Sequence, residues 1–396
     1  MDLQTYAAII FVVLLTYFLI KHREKLYLQK IAFPFLYFAM YRTKFGLNFI
    51  DKMSEKIPRI VKWTAYAGVV LGFIGMAFIS FSLVYNLIRM LMTPAATAGV
   101  ALVLPFKVKG SFYVPFFYWI ISIFVLAVIH EFAHGIVARA YGLKIKSSGF
   151  AFLGVLVPIL PAAFVEPDEK ELNKEKAHVK LSIFAAGPFS NIVFAALVAL
   201  LFIFLLAPVG NAIFEPTGVQ VAGYVPSPGN VTYPAEQANI KKGEVILKIN
   251  NVDVPSIENF TVALNSTKPG DRVTVVTNVS SYEVTLAEDP ENVNRSYLGV
   301  FVRQNSRISE GFTEKYGNIL TSALIWLIGL FYWFYVLNLG IGLFNLVPLG
   351  PIDGGRMLHT ILEKYLRKDI ALKAWKFIGT LFLFIIIASI VFAFVK

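Results

Sequence analysis

Val128-Ile-His130-Glu131-Phe-Ala-His134-Gly135 lies inside an apolar run, 114–139, that is long enough to cross a bilayer. On a helix, residues four apart share a face, so the imidazoles of His130 and His134 stand one turn apart and point the same way. Both can reach one ion at about 2.0–2.1 Å, the distance zinc takes to histidine nitrogen. Glu131 sits beside the first of them and can reach a water on that ion instead of the ion itself. Zinc lowers the pKa of such a water to about 7, and a carboxylate can then relay its proton. The bland alternative is a pair of packed core histidines. Against it, an ionisable side chain at the middle of a membrane costs about 2.5–3.5 kcal/mol even on a lenient scale. The chain has five histidines in all, and two of them bracket a glutamate at metal spacing.

The surroundings of this helix are those of a membrane protein. Of 396 residues, 57% are hydrophobic and only 15% are charged, a balance that excludes an ordinary soluble domain. Apolar runs of spanning length occur at about 4–20, 65–92, 114–139, 181–207, 317–344 and 372–395. The first is not read as a cleavable signal peptide, because Lys21, Arg23 and Lys25 follow it instead of preceding it. The net charge of +11 marks cytoplasmic loops and not a nucleic-acid partner. There is no cysteine, which removes thiolate metal sites, disulfides and thiol catalysis. Any ion must therefore be held by His, Asp or Glu.

Lysine and arginine crowd Lys21–Lys62, while 94–113 offers only Lys107 and Lys109. By the positive-inside rule the first loop is cytoplasmic, and alternation puts both termini and the block 213–305 outside. Leu26–Tyr41, interrupted by Lys30 and Pro34, reads as an interfacial helix on the cytoplasmic side. Five Asn-x-Ser/Thr patterns, at Asn230, Asn259, Asn265, Asn278 and Asn294, all fall within 213–305 and agree with that sidedness.

Two histidines do not complete a metal site. The fifth apolar run ends in Phe344-Asn345-Leu-Val-Pro348-Leu-Gly350-Pro351-Ile352-Asp353-Gly354-Gly355-Arg356. Its prolines and paired glycines do not continue a regular helix, and unwound backbone at membrane depth is tolerated where protein or a wet cavity satisfies it. Asp353 is the expected third ligand; the alternative is an Asp that only caps a helix beginning at Gly354. His178 and His359 read as solvated residues, and Asn338 carries no motif. Block 213–305 changes character: β-branched runs at Val219–Val225, Val245–Ile249, Val273–Thr277, Glu283–Leu286 and Leu298–Val302 alternate with turn residues, the pattern of a small strand-rich domain.

Together these motifs resemble the site-2 protease family of intramembrane metalloproteases, in which a helical His-Glu-x-x-His and a later Asn-x-x-Pro-x-Pro-x-Leu-Asp-Gly build a zinc site. The resemblance implies His130, His134 and Asp353 as ligands of one zinc ion and Glu131 as catalytic base. The second motif departs at Gly350 and Ile352. Gly187-Pro-Phe-Ser-Asn191 matches the family's Gly-x-x-x-Asn, implying that Asn191 binds substrate or stabilises the oxyanion, while Asn345 is implied to bind the substrate backbone. The proline-broken stretch Gly149–Glu166 is implied to be a re-entrant β-hairpin that holds substrate as an added strand. Ala238–Val252 resembles the helix-turn-strand of a PDZ domain, with Glu244 and Asn251 departing from the usual Asp and Gly, so a peptide ligand is a possible partner.

The expected architecture is an α-helical polytopic membrane protein of about six transmembrane helices with an inserted β-rich PDZ-like domain. Its parts are a transmembrane hairpin with an interfacial segment (1–110), the first half of the catalytic core (111–212), the external PDZ-like domain (213–305) and the second half of the core (306–396). The implied function is zinc-dependent hydrolysis of peptide bonds in transmembrane substrates, pre-trimmed by another protease, near the cytoplasmic leaflet. Two rivals are a metal transporter, which has no use for a general base and shows no inverted repeat here, and a catalytically silent membrane scaffold, which would hold no stoichiometric zinc.

Overall fold

The computed structural model describes residues 3–32, 36–92, 99–155, 157–226, 232–290 and 292–395. Pro34, Gly229 and the sequon residue Asn230 lie outside the described residues. The chain divides into two compact units, Met1–Phe202 with Ile328–Lys396 and the inserted Ile203–Leu327. Six helices among the described residues are long and apolar enough to cross a membrane: Gln4–Lys21, Pro58–Met92, Phe116–Ala140, Ala177–Ile213, Asn318–Phe344 and Lys368–Val395.

In the larger unit, α1 (Leu3–Lys21) is followed by strands β1 (Leu26–Ala32) and β2 (Leu36–Thr43), then α2 (Leu47–Lys56) and the long α3 (Pro58–Met92). A short parallel pair, β3 (Leu102–Leu104) and β4 (Ser111–Tyr113), leads into α4 (Phe116–Ala140), the helix of the two histidines. Next come β5 (Ile145–Val155), β6 (Val157–Pro167), α5 (Glu169–Lys174) and α6 (Ala177–Leu201). Helix α3 approaches its neighbours through glycine. Side chains of Phe189, Met357 and Leu346 fill the space where Gly68, Gly72 and Gly75 have no Cβ. Small residues allow such approach between apolar helices, where water exclusion supplies no drive. The resulting core joins Ala65, Ala138, Ala185, Leu346 and Met357.

One expectation is corrected here and another is met. The segment Leu26–Tyr41 is not an interfacial helix: β1 and β2 pair antiparallel and extend a four-stranded sheet of order β1-β2-β5-β6. Its aromatic residues suit a pleated surface, and β5 supplies the partner edge that makes the extended form stable. Gly149–Glu166 is indeed a hairpin, β5 against β6, with Phe150 opposite Ala163 and Ser148 opposite Val165. Strand β6 ends the sheet, and its outer edge faces away from β5.

The inserted unit begins where α6 passes through a π-helical turn (Phe202–Leu206) into α7 (Ala207–Ile213). It continues with β7 (Phe214–Tyr224), α8 (Pro234–Gln237), β8 (Val245–Ile249), β9 (Val252–Asp253), α9 (Ile257–Asn265), β10 (Arg272–Thr277) and β11 (Ser281–Thr285). A two-stranded ribbon, β12 (Ala287–Asp289) with β13 (Asn292–Tyr297), precedes β14 (Val300–Ile308) and α10 (Glu310–Tyr316). The main sheet runs β11-β10-β8-β7-β14, with β9 attached to β8, over a core of Val219, Val221, Ile246, Ile249, Phe260 and Leu298. All five expected strands are present, although β14 starts at Val300 and runs on to Ile308. Helix α8 is a single turn that ends at Gln237. Asn250 takes the left-handed conformation (φ 52°) that Asn tolerates in tight turns.

Helix α11 (Asn318–Phe344) returns the chain to the larger unit, and after a turn come α12 (Asp353–Tyr365) and α13 (Lys368–Val395). The break runs from Asn345 to Ile352, so Gly354 and Gly355 do not interrupt a helix as expected but open α12. They are needed for close backbone contact. A Cβ on Gly354 would overlap the carbonyls of Leu346 and Val347, and one on Gly355 that of Leu349.

Candidate metal centre

Helix α4 carries His130 and His134 with ring centroids 4.7 Å apart and Nε2 atoms 3.1 Å apart. The turn after α11 brings in the third group. The main-chain carbonyl of Asn345 accepts from the Gly354 N–H (2.7 Å), and the indole N–H of Trp375 on α13 donates to the Gly355 carbonyl (2.8 Å). These bonds seat the first turn of α12 against the broken end of α11. Asp353 Oδ2 then lies 3.0 Å from Nε2 of His130 and 3.4 Å from Nε2 of His134. Asp353 is the first residue of α12, not its cap, which is Ile352. His130 and Asp353 are buried, 8% and 9% exposed.

Among the described residues, these three form a group able to hold a metal ion. Tetrahedral bonds of about 2.1 Å separate ligand atoms by about 3.4 Å, close to the three separations here. Gly187 keeps the place free, because a Cβ there would overlap Nε2 of both histidines. Two imidazoles and a carboxylate, with one side open to a cavity, are the donor set of a hydrolytic zinc site, so these residues fit zinc.

The cavity measures about 620 Å³ and is lined by the three donors together with Glu131, Val165 and Arg356, among others. Glu131 Oε2 accepts a hydrogen bond from the main-chain N–H of Val165 at 3.1 Å. That donor sits on the outer edge of β6, the side a further strand would pair with. Arg356 spreads its guanidinium over the Phe184 ring at 4.1 Å.

Behind the imidazoles stands α6. His134 Nδ1–H donates to the Ile183 carbonyl at 2.6 Å. Pro188 provides no N–H for the Phe184 carbonyl and opens this turn of the helix. Asn191 is fully buried, and its amide lies 3.1 Å from Nδ1 of His130. The structure thus sets Asn191 against the back of a histidine and not among the groups that line the cavity. Asn345 is half-buried and joins the centre through its main-chain carbonyl. His178 lies among Tyr66 and Tyr141, and His359 near Glu363 and Trp375, both apart from the centre as expected. The Val165 N–H and the Ile183 carbonyl are main-chain groups and leave no mark in the sequence. Only the hairpin implied over Gly149–Glu166 pointed toward the first of them.

Comparison with known proteins bears on the same residues. The model of peptidase family M50 matches 118–389, which includes the two histidines, Glu131 and Asp353. An uncharacterized protein of Methanocaldococcus jannaschii is 26% identical over 335 residues, 82% of this chain and 78% of its own length. A chain of Clostridium acetobutylicum named "Putative zinc metalloprotease" is 28% identical over 206 residues, 50% of this chain and 56% of its own length. Among solved structures, the PDZ domain of an SdrC-like protein from Listeria monocytogenes aligns at 21% identity over 22% of this chain and 87% of that domain, with a TM-score of 0.19. With the M50 model spanning well over half its length, this multi-pass membrane chain belongs to peptidase family M50, the site-2 protease family.

Proposed function

We propose that the chain is an intramembrane zinc metalloendopeptidase that hydrolyses peptide bonds within or beside transmembrane segments of other membrane proteins. The observation that carries this reading is the convergence of His130, His134 and Asp353 on one point, with Glu131 beside it on the same cavity. His130 and His134 supply nitrogen donors from α4, and Asp353 supplies oxygen from the start of α12. A zinc ion held by them supplies Lewis-acid polarisation of the scissile carbonyl and of a water. Glu131 takes a proton from the attacking water and delivers it to the leaving amine, a relay that requires a free carboxylate oxygen within hydrogen-bond reach.

A helical substrate hides its carbonyls in its own hydrogen bonds, so it must unwind before attack. The outer edge of β6 favours an extended segment, since the main-chain groups beside the Val165–Glu131 bond are those an added strand would pair with. Asn345, beside the break, is assigned to the substrate backbone. On the charge distribution, both termini and residues 213–305 face outward and the centre lies toward the cytoplasmic leaflet. The inserted β-rich unit, PDZ-like in its Ala238–Val252 stretch, is assigned either peptide binding or exclusion of bulky ectodomains. In the second role, substrates arrive already trimmed by another protease.

The test is cleavage of a model transmembrane substrate by the purified chain. Cleavage that stops with a chelator, returns with zinc and is abolished by Glu131→Gln while zinc stays bound supports the proposal. A zinc-loaded chain whose Glu131→Gln variant behaves like the wild type overturns it.

A further inference from the structure

Three residues of α6, spaced four apart on one face, touch the metal centre from behind. The Ile183 carbonyl holds Nδ1–H of His134, Gly187 leaves room for both Nε2 atoms, and the Asn191 amide meets Nδ1 of His130. The first contact is settled in sense, because a carbonyl only accepts. Nδ1 of His134 therefore carries the proton, and Nε2 presents a lone pair. The second is not settled by geometry alone, because an amide can turn either its oxygen or its NH₂ toward the ring.

The two orientations have opposite consequences. With NH₂ toward the ring, Nδ1 accepts and Nε2 carries the proton, which then points at Asp353 Oδ2, 3.0 Å away. With Oδ1 toward the ring, Nδ1–H donates, and Nε2 offers a lone pair to the point shared with His134 and Asp353. Asn191 is fully buried and its Oδ1 has no partner among the described residues. An end-for-end turn of the amide gives that oxygen the ring N–H as its partner. It is also the orientation that leaves Nε2 of His130 unprotonated toward His134 and Asp353, as a metal ligand must be. Resting on the metal-centre reading above, we infer that Asn191 is a positioning residue that holds Nδ1–H of His130 through its amide oxygen and so presents Nε2 to the ion. A single helix thereby orients both imidazoles, one by a main-chain and one by a side-chain oxygen. Partners of this kind behind metal-bound histidines fix the ring and its tautomer.

The experiment is zinc competition against a chelating indicator on the full-length chain in detergent, with Asn191→Leu and Asn191→Asp beside the wild type. Loss of the oxygen in Asn191→Leu weakens zinc binding about 10- to 100-fold, whereas Asn191→Asp, which keeps an acceptor, stays within about threefold of the wild type. Cobalt(II) spectra read the same change at the ion, with an altered ligand-field band in Asn191→Leu and a retained one in Asn191→Asp. Asn191→Leu with wild-type zinc affinity and an unaltered cobalt band overturns the inference. Nitrogen-15 spectra of histidine in the zinc-loaded wild type need no variant: a protonated Nδ1 on His130 supports it, and metal bound through Nδ1 overturns it. A wild-type chain that binds no zinc is a different failure, that of the metal-centre reading itself.

Discussion

Gly187 stands against His130 with no side chain between them, where an added carbon would overlap Nε2 of both His130 and His134. Gly187→Ala sets a methyl group against both Nε2 atoms and displaces the imidazoles that would hold an ion. Overpacking of this kind costs about 1–3 kcal/mol, so zinc affinity falls about ten- to a hundredfold. Zinc titration of the purified variant checks this, with a thermal melt of the metal-free chain to confirm that it folds. Undiminished affinity would show that the ion sits elsewhere.

The bond from the Val165 N–H to Glu131 ties the candidate base to the sheet edge. Replacing Val165 by its α-hydroxy acid turns that N–H into an ester oxygen and leaves the side chain in place. A hydrogen bond to a charged group is worth about 1.5–3 kcal/mol, so kcat/KM for a transmembrane substrate falls at least about tenfold. Zinc affinity stays unchanged, because the hydrogen bond removed goes to Glu131 and not to His130, His134 or Asp353. Full activity of the ester variant would remove β6 from the account.

How much of this centre was legible depends on where the information resides. His130, Glu131 and His134 were readable because one helix fixes their geometry, and Asp353 because its proline-rich surroundings mark a break. Long-range pairing was not readable. Leu26–Tyr41 looks helical until β5 is known to lie beside β2, and nothing local announces that edge. Gly354 and Gly355 read as breakers because glycine is a poor helix residue, whereas the carbonyls of Leu346, Val347 and Leu349 require their missing side chains. Asn191 was found by its motif, but spacing alone does not say whether it faces a substrate or the back of a histidine.

In the inserted unit, Glu244 is only 6% exposed and accepts from the Thr277 hydroxyl (2.7 Å), the Lys241 N–H (3.0 Å) and the Tyr282 hydroxyl (3.0 Å). Burial pushes this carboxyl up, but the hydrogen bonds from Thr277, Lys241 and Tyr282 outweigh burial and hold it below its ordinary range. A lowered folded-state value contributes stability above the unfolded value, about 4.3, and that stability is lost as pH falls through the folded value. Hydrogen-exchange protection of β8 and β10 in the full chain, corrected for the intrinsic pH dependence of amide exchange, should therefore fall on acidification below about pH 4. Glu244→Gln, which sets an NH₂ against these donors, should lose about 1–3 kcal/mol at neutral pH and flatten the acid response. An unaltered pH dependence in Glu244→Gln would assign it to another group.

X-ray absorption at the zinc edge, on the full chain loaded with one equivalent of zinc, tests the central claim most directly. The account predicts nitrogen and oxygen neighbours at about 2.0–2.2 Å, two of them imidazole, and loss of tight binding in Asp353→Ala. Fewer than two imidazoles in that shell, or a spectrum and affinity unmoved by Asp353→Ala, would contradict it.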